Sequence, residues 1–199
     1  MVDLKEFEQK AADLRVLGMK ISIGQDTVYE KYWDEDCRRN IYSASKSFTS
    51  CAVGFAVQEG LIDLDERLMD AFKEDIPNNP DENLKKATVK DLLTMTLGQE
   101  KGFLMGKQRP RMEEQNWVKA SLAIPFVYEP GTHFVYNNVG PYLAGILVQR
   151  RAGCDLLSYL TPRLLKPLGI RKTIWEVDPE GNTFGAGGLF LTVSELHKL

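Results

Sequence analysis

The feature that most constrains this fold is the regular spacing of apolar residues between positions 43 and 60. The apolar side chains recur at the spacing of one helix face: Phe48, Cys51, Ala52, Phe55 and Ala56. Gly60 supplies a residue that readily takes the left-handed conformation at which many helices end. The pattern therefore predicts an amphipathic helix over residues 43–59, with Ser43 in its first turn.

Ser43 and Lys46 lie three residues apart at the start of this helix, so their side chains share one face. We expect the Lys46 ammonium to reach the Ser43 hydroxyl. A buried lysine loses its proton more readily than an exposed one, and a neutral lysine can accept the proton of a serine nucleophile. A structural interpretation also stays open, because serine is favoured at helix starts and such a pair arises by chance in a chain of this length.

The composition is that of an ordinary globular protein, since 43% of the 199 residues are apolar and 27% are charged. This length predicts one domain or two closely packed subdomains. The net charge of −3 and the lack of a basic cluster argue against a nucleic-acid surface. No apolar run approaches the roughly 18 residues of a membrane span, so none is expected.

Cysteine and histidine usage argues against metal chemistry. Cys37, Cys51 and Cys154 form no metal-binding spacing and cannot all pair, and Cys51 is expected to be a buried free thiol. With an N-terminus that lacks a signal-peptide core, this predicts a cytoplasmic location. His133 and His197 are the only histidines, and the phosphate-binding and dinucleotide-binding glycine motifs are absent, so neither a metal nor a nucleotide cofactor is expected.

The rest of the chain is predicted to contain few strands and several helices. A helix at residues 3–14 precedes a hairpin with strands at 18–24 and 27–33. Two strands alone are marginally stable, so the hairpin needs partners from elsewhere in the chain. Further helices are predicted at 88–95, 113–123, 139–153 and 156–165, and a surface excursion at 98–110.

A second informative stretch follows the turn at Pro130-Gly131. Tyr136 and Asn138 lie just before the predicted helix at 139–153. A tyrosine and an amide at such a loop–helix junction can both point into a cleft. Alternatively, Tyr136 packs at the edge of the core and Asn138 caps the helix.

Ser43-x-x-Lys46 followed by Tyr136-x-Asn138 resembles the paired motifs of the serine β-lactamase and penicillin-binding protein superfamily. The likeness is to its branch of class C β-lactamases, D-alanyl-D-alanine carboxypeptidases and esterases. It extends in collinear order through most of the chain, over the segments 43–49, 60–65, 89–96, 130–138, 166–170 and 187–189.

The resemblance implies a role for each motif residue. Ser43 would attack a carbonyl carbon and form an acyl-enzyme, while Lys46 and Tyr136 would share the general-base and proton-shuttle work. Asn138 would bind the acyl side chain of the substrate or orient Lys46, and the Ser43 backbone N–H would supply half of an oxyanion hole. The substrate would be a small-molecule amide or ester, and no cofactor or metal is implied.

The resemblance also implies an α+β fold of the β-lactamase/transpeptidase type, with a mixed sheet and a helical subdomain on either side of a cleft. Residues 1–199 would form a single, incomplete domain of this type. Within it, residues 1–60 and 170–199 would belong to the part associated with the sheet, and residues 61–169 would form the helical subdomain.

Two departures from the family pattern leave two functional hypotheses. Segment 95–98 reads Met-Thr-Leu-Gly where the family usually has His-Thr-Ser-Gly, and the third motif, Lys-Thr-Gly or His-x-Gly, is absent. The sequence ends inside a helix begun near Thr192, so C-terminal strands are expected to be missing. The chain would then be the N-terminal part of a serine hydrolase acting through Ser43, or a non-catalytic binding module. An open sheet edge would favour self-association.

Overall fold

A computed structural model describes residues 4–199, which divide into two compact units. The larger unit is residues 41–189, and the smaller one joins residues up to 40 to residues 190–199. The helices are α1 (Lys5–Asp13), α2 (Ser45–Gln58), α3 (Leu68–Ala71), α4 (Glu82–Lys86), α5 (Val89–Thr94), α6 (Trp117–Leu122), α7 (Val139–Ala152), α8 (Leu156–Leu160) and α9 (Val193–Leu196). The strands are β1 (Gly18–Ile23), β2 (Asp26–Tyr32), β3 (Arg39–Asn40) and β4 (Phe190–Leu191).

The smaller unit contains two antiparallel strand pairs. Strands β1 and β2 form the predicted hairpin, and β3 pairs with β4 from the far end of the sequence. Helix α9 follows β4 and begins with a capping box of Thr192 and Glu195. Its first N–H groups are also bound by Asp36, which accepts from Val193 at 2.8 Å. The predicted helix at residues 3–14 is confirmed as α1 where the structure describes it.

The larger unit is built around α7, which packs against α2, α5 and α8. Every residue of α7 from 139 to 149 is buried, so this part of the helix has no face open to solvent. Small residues permit this, since a Cβ on Gly140 would lie 2.3 Å from the Leu92 carbonyl oxygen of α5. An aromatic cluster adjoins α7, where the Trp117 ring packs edge-on against Tyr142 and Phe184.

Capping residues fix several helix ends where the sequence predicted them. Thr88 and Asp91 form the capping box of α5, and Gly153 ends α7 at a φ of 68°. Asp155 caps α8, which continues into a π-helical turn at Thr161–Leu165. The helix predicted at 113–123 is shorter, because the side chain of Asn116 caps its first turn and α6 therefore begins at Trp117.

Some predictions were incomplete. The stretch 98–110 is not wholly a surface excursion, because Leu104 within it is fully buried. Cys51 is free but only partly buried. Within residues 4–199, no helix has the length and apolar character needed to cross a bilayer. The cytoplasmic location and the subdomain boundaries at residues 60/61 and 169/170 stay predictions.

Gly140→Ala tests the close approach of α7 to α5. We expect a loss of about 1–3 kcal/mol in the free energy of unfolding, because the added methyl group overlaps the Leu92 backbone. Gly54→Ala in α2 is the matched control, because a Cβ there would meet nothing within 4 Å. Alanine at this position should raise the free energy of unfolding by about 0.5–1 kcal/mol. Urea unfolding followed by circular dichroism measures both, and an undiminished stability of Gly140→Ala would contradict this packing.

Candidate active site

Ser43 lies in a tight 3-10 turn, Tyr42–Ala44, directly before α2. The sequence predicted it inside the α-helix itself, but Tyr42 takes a φ of 47° and the regular α-helix begins only at Ser45. The buried Ser45 hydroxyl donates to the Tyr42 carbonyl at 2.6 Å and accepts the Leu189 N–H at 3.1 Å. These bonds hold the left-handed Tyr42 in place, and such strain is typical of functional sites.

Lys46 lies in the first turn of α2 and reaches the Ser43 hydroxyl, as their spacing predicted. Its Nζ is 3.2 Å from Ser43 Oγ, 2.8 Å from Asn138 Oδ1 and 2.5 Å from the Ala186 carbonyl oxygen. An ammonium has three N–H donors and no acceptor, so these three oxygens match its full donor capacity.

Tyr136 completes the contact with the serine. Its hydroxyl oxygen is 2.7 Å from Ser43 Oγ, and its ring centroid is 5.3 Å from the Lys46 Nζ. The backbone leading to Tyr136 is held by the unusual segment 95–98: Val135 donates to the Met95 carbonyl at 3.0 Å. Tyr136 is 44% exposed, so the hydroxyl contact lies at an open site.

Asn138 connects Lys46 to the loop before α6. Its Oδ1 accepts from Lys46, and its Nδ2 donates to the Leu104 carbonyl at 3.0 Å. Lysine can only donate and a carbonyl can only accept, so these partners fix which amide atom is oxygen. Asn138 stands at the N-cap position of α7 without capping it through its side chain; Asn137 Oδ1 accepts the Gly140 N–H instead.

The segment 185–188 contributes through its backbone. Ala186 presents its carbonyl to Lys46, while the neighbouring Gly185 carbonyl accepts from Thr49 at 2.7 Å and Gly187 from the Trp175 indole at 2.8 Å. From the sequence, residues 187–189 counted only as one segment of the family resemblance, and Ala186 had no predicted role. A backbone carbonyl leaves no side-chain signature, so only the flanking glycines could have hinted at a close approach.

Lys46 and Tyr136 each shift the pKa of the other. Burial lowers the pKa of Lys46 below its ordinary value, and the nearby charge of Arg109 lowers it further, while Tyr136 opposes this. Burial alone would raise the pKa of Tyr136, but the Ser43 hydrogen bond and the Lys46 charge together bring it below its ordinary value. Each group therefore changes its protonation state at a pH closer to neutrality than free lysine or tyrosine does.

The remaining site predictions concern metals and histidine. Among residues 4–199, no three His, Cys, Asp or Glu side chains are grouped so that they could hold a metal ion. His133 is exposed, and its Nδ1 lies 2.8 Å from the Thr132 hydroxyl while its ring stacks on Tyr128. Its ring makes surface contacts with its neighbours Thr132 and Tyr128.

The model of the beta-lactamase family matches residues 5–196. This chain belongs to the beta-lactamase family. The octameric penicillin-binding protein homologue from Pyrococcus abyssi superposes on this family member with a TM-score of 0.78 at 23% identity, over 99% of this chain and 55% of that one. The superfamily resemblance and the predicted α+β fold of the β-lactamase/transpeptidase type are thereby confirmed.

Curated relatives of this beta-lactamase-family chain include acyl-transfer and ester-cleaving proteins. One is the monacolin J acid methylbutanoyltransferase of Aspergillus terreus, 31% identical over 69% of this chain and 37% of the relative. Another is the lovastatin esterase of Penicillium rubens, 31% identical over 64% of this chain and 37% of the relative. The chain thus spans 37% of the length of each of these curated relatives.

Tyr136→Phe tests the coupling between the two groups. Removing the phenol removes a group that favours charged Lys46, so the pKa of Lys46, already lowered, should fall further. Tyr128→Phe, a tyrosine that stacks on His133, is the matched control and should leave that pKa unchanged. NMR titration of the Lys46 Cε resonance in protein labelled with 13C-lysine, with Lys46→Arg for assignment, measures the shift. A rise in Tyr136→Phe would contradict the coupling.

Proposed function

We propose that this protein catalyses acyl transfer from a small ester or amide through an acyl-enzyme on Ser43. The observation that carries the proposal is the approach of two proton-accepting groups to one hydroxyl. Tyr136 lies 2.7 Å and Lys46 3.2 Å from Ser43 Oγ. A serine is a weak nucleophile unless such a base adjoins it. The family also supports the proposal, because relatives of this chain are named as an acyltransferase and an esterase.

In the acylation step, Ser43 Oγ forms a bond to the substrate carbonyl carbon and gives its proton to the Tyr136–Lys46 pair. The lowered pKa values of both groups support this, because a base that titrates nearer neutrality is in the accepting form more often. The pair then returns the proton to the leaving oxygen or nitrogen as the carbonyl–leaving-group bond breaks. The Ser43 backbone N–H is proposed as one donor to the oxyanion.

Asn138 is proposed to position Lys46 for this exchange. Its Oδ1 accepts from Lys46 at 2.8 Å, and its Nδ2 is anchored to Leu104. Together with the Ala186 carbonyl, this fixes the amine on the side of Ser43 that faces Tyr136. A positioned base is more effective than a mobile one, because its orientation is established before the reaction.

In the deacylation step, the same pair would take a proton from an incoming hydroxyl, which attacks the acyl carbon. The pair would then return that proton to Ser43 Oγ as the bond between the acyl carbon and Oγ breaks. That hydroxyl is water in hydrolysis and an alcohol in transfer. The two relatives are named as a methylbutanoyltransferase and an esterase, which supports both outcomes for the family site. We propose hydrolysis of a small amide or ester as the primary activity here, without a metal or organic cofactor.

Ser43→Ala should abolish acyl-enzyme formation, because no other group replaces the hydroxyl oxygen that forms the bond. Incubation with p-nitrophenyl acetate and intact-protein mass spectrometry should show one added acetyl group on the wild type and none on Ser43→Ala. Ser47→Ala, which changes an exposed serine of α2, is the matched control and should acylate normally. A folded wild type that is never acylated would favour the non-catalytic binding module.

A further inference from the structure

A pocket of about 260 Å³ lies in the larger unit, beside helix α8. Its walls come from α8, from the π-helical turn that follows this helix, and from residues 170–173. None of the residues that line it belongs to the Ser43 site. Sites for drug-sized ligands usually have volumes of about 300–1,000 Å³, so this pocket suits a smaller molecule.

One wall of the pocket has a rare backbone conformation. Residues Thr161–Leu165 form the π-helical turn, and the Lys166 N–H reaches back five residues to the Thr161 carbonyl at 2.9 Å. The Thr161 hydroxyl donates to the Leu157 carbonyl at 2.6 Å, which ties the turn to α8. Turns of this kind are rare and are found frequently at functional sites. Thr161 and Leu165 both line the pocket, so the unusual turn favours a binding role for it.

Contacts to the C-terminal end of α2 hold this wall in place. Glu59 accepts from the Arg163 guanidinium at 2.7 and 3.1 Å and from the Tyr159 hydroxyl at 2.9 Å. The Arg163 Cζ also lies 3.9 Å from the Tyr159 ring centroid. These contacts order α8 and the π-helical turn before any ligand arrives, so binding requires little further ordering of this wall.

Apolar side chains form the inner surface of the pocket. Leu165 is 3% exposed and Ile170 is 5% exposed, and Leu157, which also lines the pocket, is half-buried. These side chains can pack against a short alkyl chain, and the removal of such a chain from water is favourable. The inner surface therefore suits the apolar part of a small ligand.

The exposed side of the pocket is basic. Arg171 and Lys172 line it, and both are exposed to solvent. Residues 156–175 contain four basic residues and no Asp or Glu, although the chain as a whole has a net charge of −3. A local excess of positive charge attracts negatively charged ligands. The pocket therefore combines an apolar interior with a basic opening.

The two carboxylates that flank this stretch are engaged in other contacts. Asp155 lies at the start of α8, where its two oxygens accept the N–H of Ser158 at 2.9 Å and the hydroxyl of Ser158 at 2.7 Å. Glu176 forms an ion pair with Arg109 at 3.2 Å. Neither contact involves the basic residues of the pocket, so the positive charge at its opening is available to a ligand.

We propose that this pocket binds the anion of a short-chain fatty acid, with the carboxylate at Arg171 and Lys172 and the alkyl chain against the apolar interior. A guanidinium suits a carboxylate, because its parallel N–H donors match the two oxygens. An alcohol of similar length lacks the charge, and acetate lacks most of the alkyl chain, so both bind more weakly. The inference goes beyond the proposed function and does not depend on turnover at Ser43.

NMR titration of 15N-labelled protein with sodium hexanoate measures this binding directly. We expect saturable shifts of amide resonances in residues 157–173, with hexan-1-ol and sodium acetate each binding at least about fivefold more weakly. In the double variant Arg171→Gln, Lys172→Gln, the hexanoate affinity should fall about fivefold. The double variant Lys107→Gln, Arg111→Gln is the matched control, because it removes the same charge from exposed residues outside the pocket and should keep the wild-type affinity.

Shifts that map to residues 157–173, and that require more hexanoate in the Arg171→Gln, Lys172→Gln variant than in the control, support the pocket. Three results would overturn it: shifts confined to the neighbourhood of Ser43, equal affinity in the two double variants, or hexan-1-ol binding as tightly as hexanoate. So would the absence of saturable shifts below the micelle threshold of hexanoate. Ser43→Ala should bind hexanoate like the wild type, so this test holds even if acyl transfer at Ser43 fails.

Discussion

The ammonium of Lys46 is the point at which three separate parts of the larger unit meet. Its hydrogen-bond partners come from the turn before α2, from the start of α7 and from segment 185–188. A charged amine withdrawn from water is stabilised only while such acceptors stay in place. The same acceptors that keep the charge tolerable also aim the amine at Ser43, so local stability and reactivity depend on one set of contacts.

These contacts require backbones to approach closely, which explains the small residues around them. A Cβ on Gly145 would lie within 3.5 Å of the Thr49 side chain and 3.6 Å of the Gly185 Cα. Gly185 itself takes a φ of 64°, and Gly188 a φ of 83° with the Glu176 side chain against it. Larger residues would push segment 185–188 outward and withdraw the Ala186 carbonyl from Lys46.

Sequence patterns predicted those elements that depend on the identity of their side chains. The apolar period of α2, the helix starts near residues 88 and 156 and the spacing of Ser43 and Lys46 are all confirmed. The pattern could not predict the left-handed Tyr42 or the carbonyls of Leu104 and Ala186, because any residue type carries the same backbone groups. Arg109 and Trp117 belong to no motif, and only packing brings both side chains against Phe184.

In the mechanism that we propose, the Ser43 site does not by itself decide between water and an alcohol as the final acyl acceptor. Ser43 and the Tyr136 hydroxyl are open to solvent, whereas Lys46 is largely enclosed. The enclosed amine can serve any acceptor that reaches the exposed hydroxyl pair, since its own contacts do not change with the incoming group. Selection among substrates would therefore depend on surfaces beside the pair, where hydrogen-bonding groups discriminate more sharply than apolar contacts do.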